Sequence, residues 1–86
     1  MKHAGEATLN LVEPVLAELR PLEGIRERKR GLFYRGAQAF LHFHEDPLGV
    51  FADVRAEGSW LRLPVKTASE LHNLVRIVKE ILNKTR

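Results

Sequence analysis

The sequence predicts an α+β fold: a two-layer sandwich in which a four-stranded antiparallel meander carries N- and C-terminal helices on one face, in the order α-β-β-β-β-α. Three observations lead there. A capped run near the C-terminus, Leu71, Leu74, Val75, Val78, Ile81 and Leu82, repeats at helical spacing. A second apolar stripe, Val12, Val15, Leu16 and Leu19, lies near the N-terminus. Between them sit short runs of period two, separated by turn residues. A sheet with one apolar face and two amphipathic helices is satisfied by laying both helices on that face.

The first helix is expected over 8–20. Pro14 fits either the first position of a helix capped near Glu13 or a kink in a longer one. Pro21 ends the run. The segment 22–31 reads as a basic connector punctuated by Gly24 and Gly31. The sheet is expected over 32–63, with strands at 32–34, 38–45, 50–56 and 59–63. Asp46-Pro47-Leu48-Gly49 has the residue order of a type I turn, and Glu57-Gly58 provides a two-residue hairpin loop. Thr67-Ala68-Ser69-Glu70 is a capping box that opens the last helix, 67–83.

Strand parity sorts the side chains. Leu41, Phe43, Val50, Ala52, Val54, Leu61 and Leu63 form the core set. Leu41, Phe43, Val54 and Leu61 are expected to be buried together with Leu74, Val75 and Val78. The complementary set is His42, His44, Phe51, Asp53, Arg55, Trp60 and Arg62. The two-residue loop opposes Asp53 to Arg62 and Arg55 to Trp60, an ion pair and a cation–π contact. A four-residue first loop opposes His42 to Asp53 and His44 to Phe51. A three-residue loop with a glycine bulge instead turns His42 toward Val54. Apolar patterning favours the first, because a one-residue slip exchanges the two faces. On that register the Asp53 carboxylate is expected to raise the pKa of His42.

At 86 residues, with 44% hydrophobic and 29% charged, the chain has the composition of one globular domain, 1–86. No run approaches the roughly 18 apolar residues of a membrane span. The first ten residues lack the apolar block of a signal peptide, so the expected location is the cytoplasm. The absence of cysteine removes disulfide frameworks, thiolate nucleophiles and cysteine zinc sites.

The net charge of +3 permits an anionic partner. Its densest part is Arg26, Arg28, Lys29 and Arg30, the candidate nucleic-acid contact. The complementary strand set, with Phe40, makes an aromatic and cationic platform suited to bases, acidic groups, protein partners or self-association. His42 and His44 could also ligate a metal, with Asp53, Glu45 or Asp46 as oxygen donors. The third ligand is undefined, Arg55 and Arg62 oppose a cation, and neither His3 nor His72 has a sequence reason to join. Ser59 and Ser69 lack a nucleophile context. The expectation is therefore a non-catalytic binding or protein-interaction module without a cofactor, using the open sheet face. A weak nucleic-acid binder is the alternative, and a metal-binding or hydrolytic protein the third reading.

The run Phe33-Tyr34-Arg35-Gly36-Ala37-Gln38-Ala39-Phe40-Leu41-His42-Phe43-His44-Glu45-Asp46, with Gly49 and 51–55 after it, resembles the middle of small bacterial proteins. More distantly it is similar to YjbR/MmcQ-type domains, in which a strand meander is packed by helices. The similarity covers about 30–81 and is a pattern of strands rather than a catalytic signature. It implies the fold and transfers no functional residue.

Overall fold

The computed structural model describes residues 2–84. Its elements are β1 (Lys2–His3), α1 (Glu6–Leu19), β2 (Arg26–Lys29), β3 (Leu32–Arg35), β4 (Gln38–Asp46), β5 (Gly49–Ala56), β6 (Ser59–Pro64) and α2 (Ala68–Lys84). The sheet is antiparallel throughout, in the order β2-β3-β4-β5-β6. β1 lies beside the far half of β4, opposing His3 to His44 and Lys2 to Glu45.

The fold class holds, but the strand count of four is corrected by β1 and β2. The 22–31 connector contains β2. Its Arg-Glu-Arg-Lys sequence has no apolar alternation because it forms an edge strand on which Arg26, Arg28 and Lys29 are exposed and half-buried Glu27 is held by Arg20 and the Gly31 N–H. β1 is too short to leave any periodicity.

Both helices contribute to one core with the inward strand set. Val12, Val15, Leu16 and Leu19 of α1 and Leu74, Val75, Val78 and Leu82 of α2 are buried with Phe33, Leu41, Phe43, Ala52 and Val54. α1 starts earlier than expected and runs through Pro14, so the longer-helix alternative is the one adopted. Gly5 supplies no side-chain cap. Glu45 reaches across from β4 instead, accepting from the Gly5 N–H at 3.0 Å and from the Thr8 hydroxyl. A carboxylate there also complements the positive end of the helix dipole.

α2 is capped as its sequence requires. Glu70 N–H donates to Thr67 Oγ1 at 3.1 Å, and Glu70 Oε1 accepts from the Thr67 and Lys66 N–H groups at 3.0 and 2.8 Å. These donors hold the Glu70 carboxyl below its ordinary pKa.

Both central hairpins adopt the register that patterning favours. His42 opposes Asp53, His44 opposes Phe51, Asp53 opposes Arg62 and Arg55 opposes Trp60. Positive φ at Glu57 (51°) and Gly58 (83°) gives β5–β6 its two-residue primed turn. In the first hairpin Asp46 pairs with Gly49, so the register is the expected one but the loop is the two residues Pro47-Leu48 rather than four, with Asp46 Oδ1 accepting from Leu48 N–H at 2.8 Å.

Two side chains depart from the parity reading. Phe33 opposes Leu41 while Tyr34 opposes Ala39, which leaves Phe40 as an extra residue in β4. Such a bulge turns consecutive side chains toward one face, and Phe40 is buried in the core rather than on the platform. Leu61 has the expected facing but remains 40% exposed. It sits on the edge strand, beside a depression it shares with Phe40, Ile77 and Ile81.

Candidate metal centre on the open sheet face

β4 runs through the middle of the sheet, so its outward side chains have neighbours on both flanks. His42 and His44 project from the face away from the helices. β1 brings His3 alongside, opposite His44. The His3 and His44 rings stack with centroids 5.5 Å apart, and the His42 and His44 rings meet edge-on at 4.3 Å. One ligating nitrogen from each of the three imidazoles falls within 4.8 Å of the others. His3 is exposed, whereas His42 and His44 are half-buried.

Asp53 is buried, at 5% exposed, although its strand parity is outward. Arg62 holds it with two parallel bonds, Nε to Oδ1 and Nη2 to Oδ2, both 2.8 Å. That guanidinium, chiefly through its hydrogen bonds, keeps the Asp53 carboxyl below the ordinary carboxylate pKa. The same carboxylate lies 3.0 Å from His44 Nε2. Its partner is therefore the diagonal histidine, not the directly opposed His42. The approach to His44 is off-line, and Nδ1 and Nε2 of His44 and Nδ1 of His42 are buried without a hydrogen-bond partner among the described residues.

The expectation that Asp53 raises the pKa of His42 is overturned. Burial pushes His42 below its ordinary value of 6.5, and the neighbouring His44 adds to the shift. Asp53 acts the other way and is outweighed. Its charge is already engaged by Arg62, and an imidazolium at position 42 would stand beside two other imidazoles.

The remaining platform residues frame this cluster. Trp60 packs edge-on against His42 at 4.8 Å between ring centroids. Arg55 lies 4.3 Å over the Trp60 ring and donates from Nε to the Ala39 carbonyl at 2.8 Å, beside the bulge. Phe51 shares the face and is half-buried. Both arginines thus have anionic or aromatic partners, which weakens the objection that they repel a cation. A depression lined by His3, Leu9, Lys29, Gly31, Leu32 and His42 opens beside two of the imidazoles.

Glu45, considered as an oxygen ligand, instead caps α1, and Asp46 accepts from its own turn. His72 lies on α2, apart from the cluster. The third imidazole of the cluster is His3, which the sequence offered no reason to include. Its only sequence signal is two residues of strand, legible once the far half of β4 is known to lack β3 as a neighbour.

The basic run is dispersed by β2. Arg30 bonds Asn10 Oδ1 at 2.9 Å and Glu13 Oε1 at 2.8 Å, and the Arg28 guanidinium lies 4.9 Å over Tyr34. Arg26 and Lys29 are exposed. Glu13 also binds Arg20, and this cation with Arg30 lowers its pKa to about 2. No known family, curated protein or solved structure matches the chain. That result bears neither for nor against the resemblance drawn from the strand pattern.

Proposed function

We propose that the open sheet face is a binding surface whose ligand is a divalent transition metal, held by His3, His42 and His44. The observation that carries this reading is the approach of three ligating nitrogens to within 4.8 Å. A tetrahedral zinc needs N···N spacings of roughly 3.3 Å, and rotation of the exposed His3 side chain supplies the closure. Nitrogen ligands suit zinc, copper or nickel better than calcium or magnesium. Three imidazoles leave a fourth position open to water or a small ligand, and the depression bordered by Lys29 gives access to it. Asp53 would act as a positioning residue. Its carboxylate stands 3.0 Å from Nε2 of His44, and on binding a metal at Nδ1 the ring would turn to donate Nε2–H to it, as ligating histidines commonly do to carboxylates.

Titration with Co²⁺ followed by visible absorption, and with Zn²⁺ by calorimetry, tests the assignment. One equivalent should bind with a tetrahedral cobalt spectrum. His42→Ala or His44→Ala should weaken affinity about 100-fold, and Asp53→Asn about tenfold. His72→Ala should change nothing. Absence of Zn²⁺ and Co²⁺ binding at about 100 μM, well above the affinity of most three-ligand sites, sinks the reading. Equal losses from the His72 variant do so as well.

The nucleic-acid alternative has weaker support, because Arg28 and Arg30 already have intramolecular partners.

A further inference from the structure

The two edges of the sheet differ in kind. β2 is charged and its register shifts between Glu27 and Lys29, leaving Arg28 as an extra residue. Charge and a bulge are the usual protections of an edge strand. β6 has neither bulge nor register shift along its six residues; its one charge, Arg62, is paired with Asp53, and its proline, Pro64, stands at the last position. Trp60 and Leu61, two of the exposed large hydrophobic residues, sit next to each other on it and face opposite ways.

The backbone alternation of β6 is fixed. A two-residue loop makes Ala56 and Ser59 the hydrogen-bonded closing pair. The N–H and C=O groups of Ser59, Leu61 and Leu63 therefore face β5. Val65 N–H continues the alternation by donating to the Val50 carbonyl at 3.0 Å. The backbone groups of Trp60 and Arg62 point off the sheet.

We infer that β6 pairs antiparallel with β6 of a second copy of this chain, about a two-fold axis at Leu61. In that register Trp60 and the partner's Arg62 exchange both backbone hydrogen bonds, and the symmetric pair does the same. Leu61 meets the partner's Leu61 as a non-hydrogen-bonded pair, where side chains approach most closely. The ladder then runs from Ser59 opposite Leu63 through to the reverse pair. Pro64, which has no N–H, falls opposite the Gly58 loop where no donor is needed.

Moving the axis to Arg62 would oppose two guanidinium groups and place Pro64 opposite Trp60, where a donor is lost. Moving it to Trp60 would draw loop residues into the ladder. The Leu61 register alone uses the whole strand. It also sets the partner's Arg62 beside Trp60, a second cation–π contact in addition to that of Arg55. Each Arg62 charge is already offset by Asp53. The acidic Glu57 of each copy reaches the Val65–Lys66 corner of the other, so the ends of the interface are complementary in charge. The interface is small and the dimer correspondingly weak. This inference is independent of the metal site.

The native chain has no cysteine, so Leu61→Cys introduces a single thiol. Directly opposed non-hydrogen-bonded residues have Cα atoms about 4.5 Å apart, within disulfide range. Sedimentation equilibrium should show a reversible monomer–dimer system in the micromolar range. Mild oxidation of the Leu61→Cys variant should give a covalent dimer, while Leu48→Cys, in the exposed first turn, should not. Leu61→Lys, at a partly exposed position the fold tolerates, should weaken association tenfold or more with an unchanged circular dichroism spectrum. A strict monomer at all concentrations overturns the inference. So does a dimer that ignores Leu61→Lys, or equal cross-linking through positions 48 and 61.

Discussion

The two faces of the sheet are made by the same strands and differ residue by residue. Phe43, between His42 and His44, is 2% exposed against the helices, and its flanking histidines stand on the other side. On the helix face, contact is between apolar side chains and needs no orientation. On the open face most of the sheltered groups are polar and depend on direction: Asp53 is buried and Arg62 binds it with two bonds. The buried imidazole nitrogens, by contrast, have no such partner. Burial without a hydrogen bond is costly, and a fold tolerates it most readily where a ligand completes the site. The helix face secures the structure, and the open face carries the polar cluster on which the proposed function rests.

The strongest way to break this contrast is to truncate one residue on each face. Phe43→Ala should lower stability by about 3–5 kcal/mol, read from urea denaturation. His44→Ala in the metal-free protein should cost about 1 kcal/mol or less, since it removes two unpartnered nitrogens along with the packing. Equal losses would mean that the open face is a second core. Metal should then restore the balance. Zinc at 100 times its dissociation constant should stabilise the parent by about 2.7 kcal/mol and leave the His44→Ala variant nearly unmoved. A parent midpoint indifferent to zinc would remove the histidines' functional reading.

What the sequence made legible follows from how local each determinant is. The β5–β6 register was readable because Glu57-Gly58 sets it and the Asp53–Arg62 and Arg55–Trp60 pairs agree with it. The α2 cap was readable because Thr67 and Glu70 are three residues apart. Features that rest on distant contacts left no such trace. β2 is defined only by its pairing with β3. The Phe40 bulge arises from a mismatch between β3 and β4, and the exposure of Leu61 goes with its place on the edge strand β6. His3 joined the site through β1 pairing with a residue forty-one positions away, a distance no periodicity spans. The half of the candidate site on one hairpin was visible, and the histidine contributed by the N-terminal strand was not.

A smaller effect tests the ion pair that anchors the open face. Asp53→Asn keeps the shape and removes the charge, and should cost about 1 kcal/mol, because Arg62 is half-exposed and partly screened by water. The lowered pKa of Asp53 sets the sign in acid. Its contribution is present above the unfolded carboxyl pKa and disappears as pH falls through the folded one. The parent should therefore lose more stability than the Asn variant on acidification. Parallel acid profiles for the two proteins would show that Arg62 does not hold Asp53 in solution.

The smallest effect concerns His42, and its sign separates burial from pairing. A histidine paired with a carboxylate gains a raised pKa, and its stabilisation is lost as pH rises. His42 is lowered by burial instead, so the unfolded chain binds its proton more readily than the folded one. Metal-free protein should accordingly be most stable above the ordinary histidine pKa of 6.5. Stability should decline as pH falls through that value and level off below the folded pKa. Unfolding midpoints between about pH 5 and 7.5 should show this slope in the parent and a flatter one in His42→Gln. The His42 ring signals, followed by NMR, should titrate below 6.5. A midpoint above 6.5 would place the charge of Asp53 on His42 rather than on Arg62 and His44. The open face would then be a surface ion pair, with no neutral imidazole cluster for a metal to join.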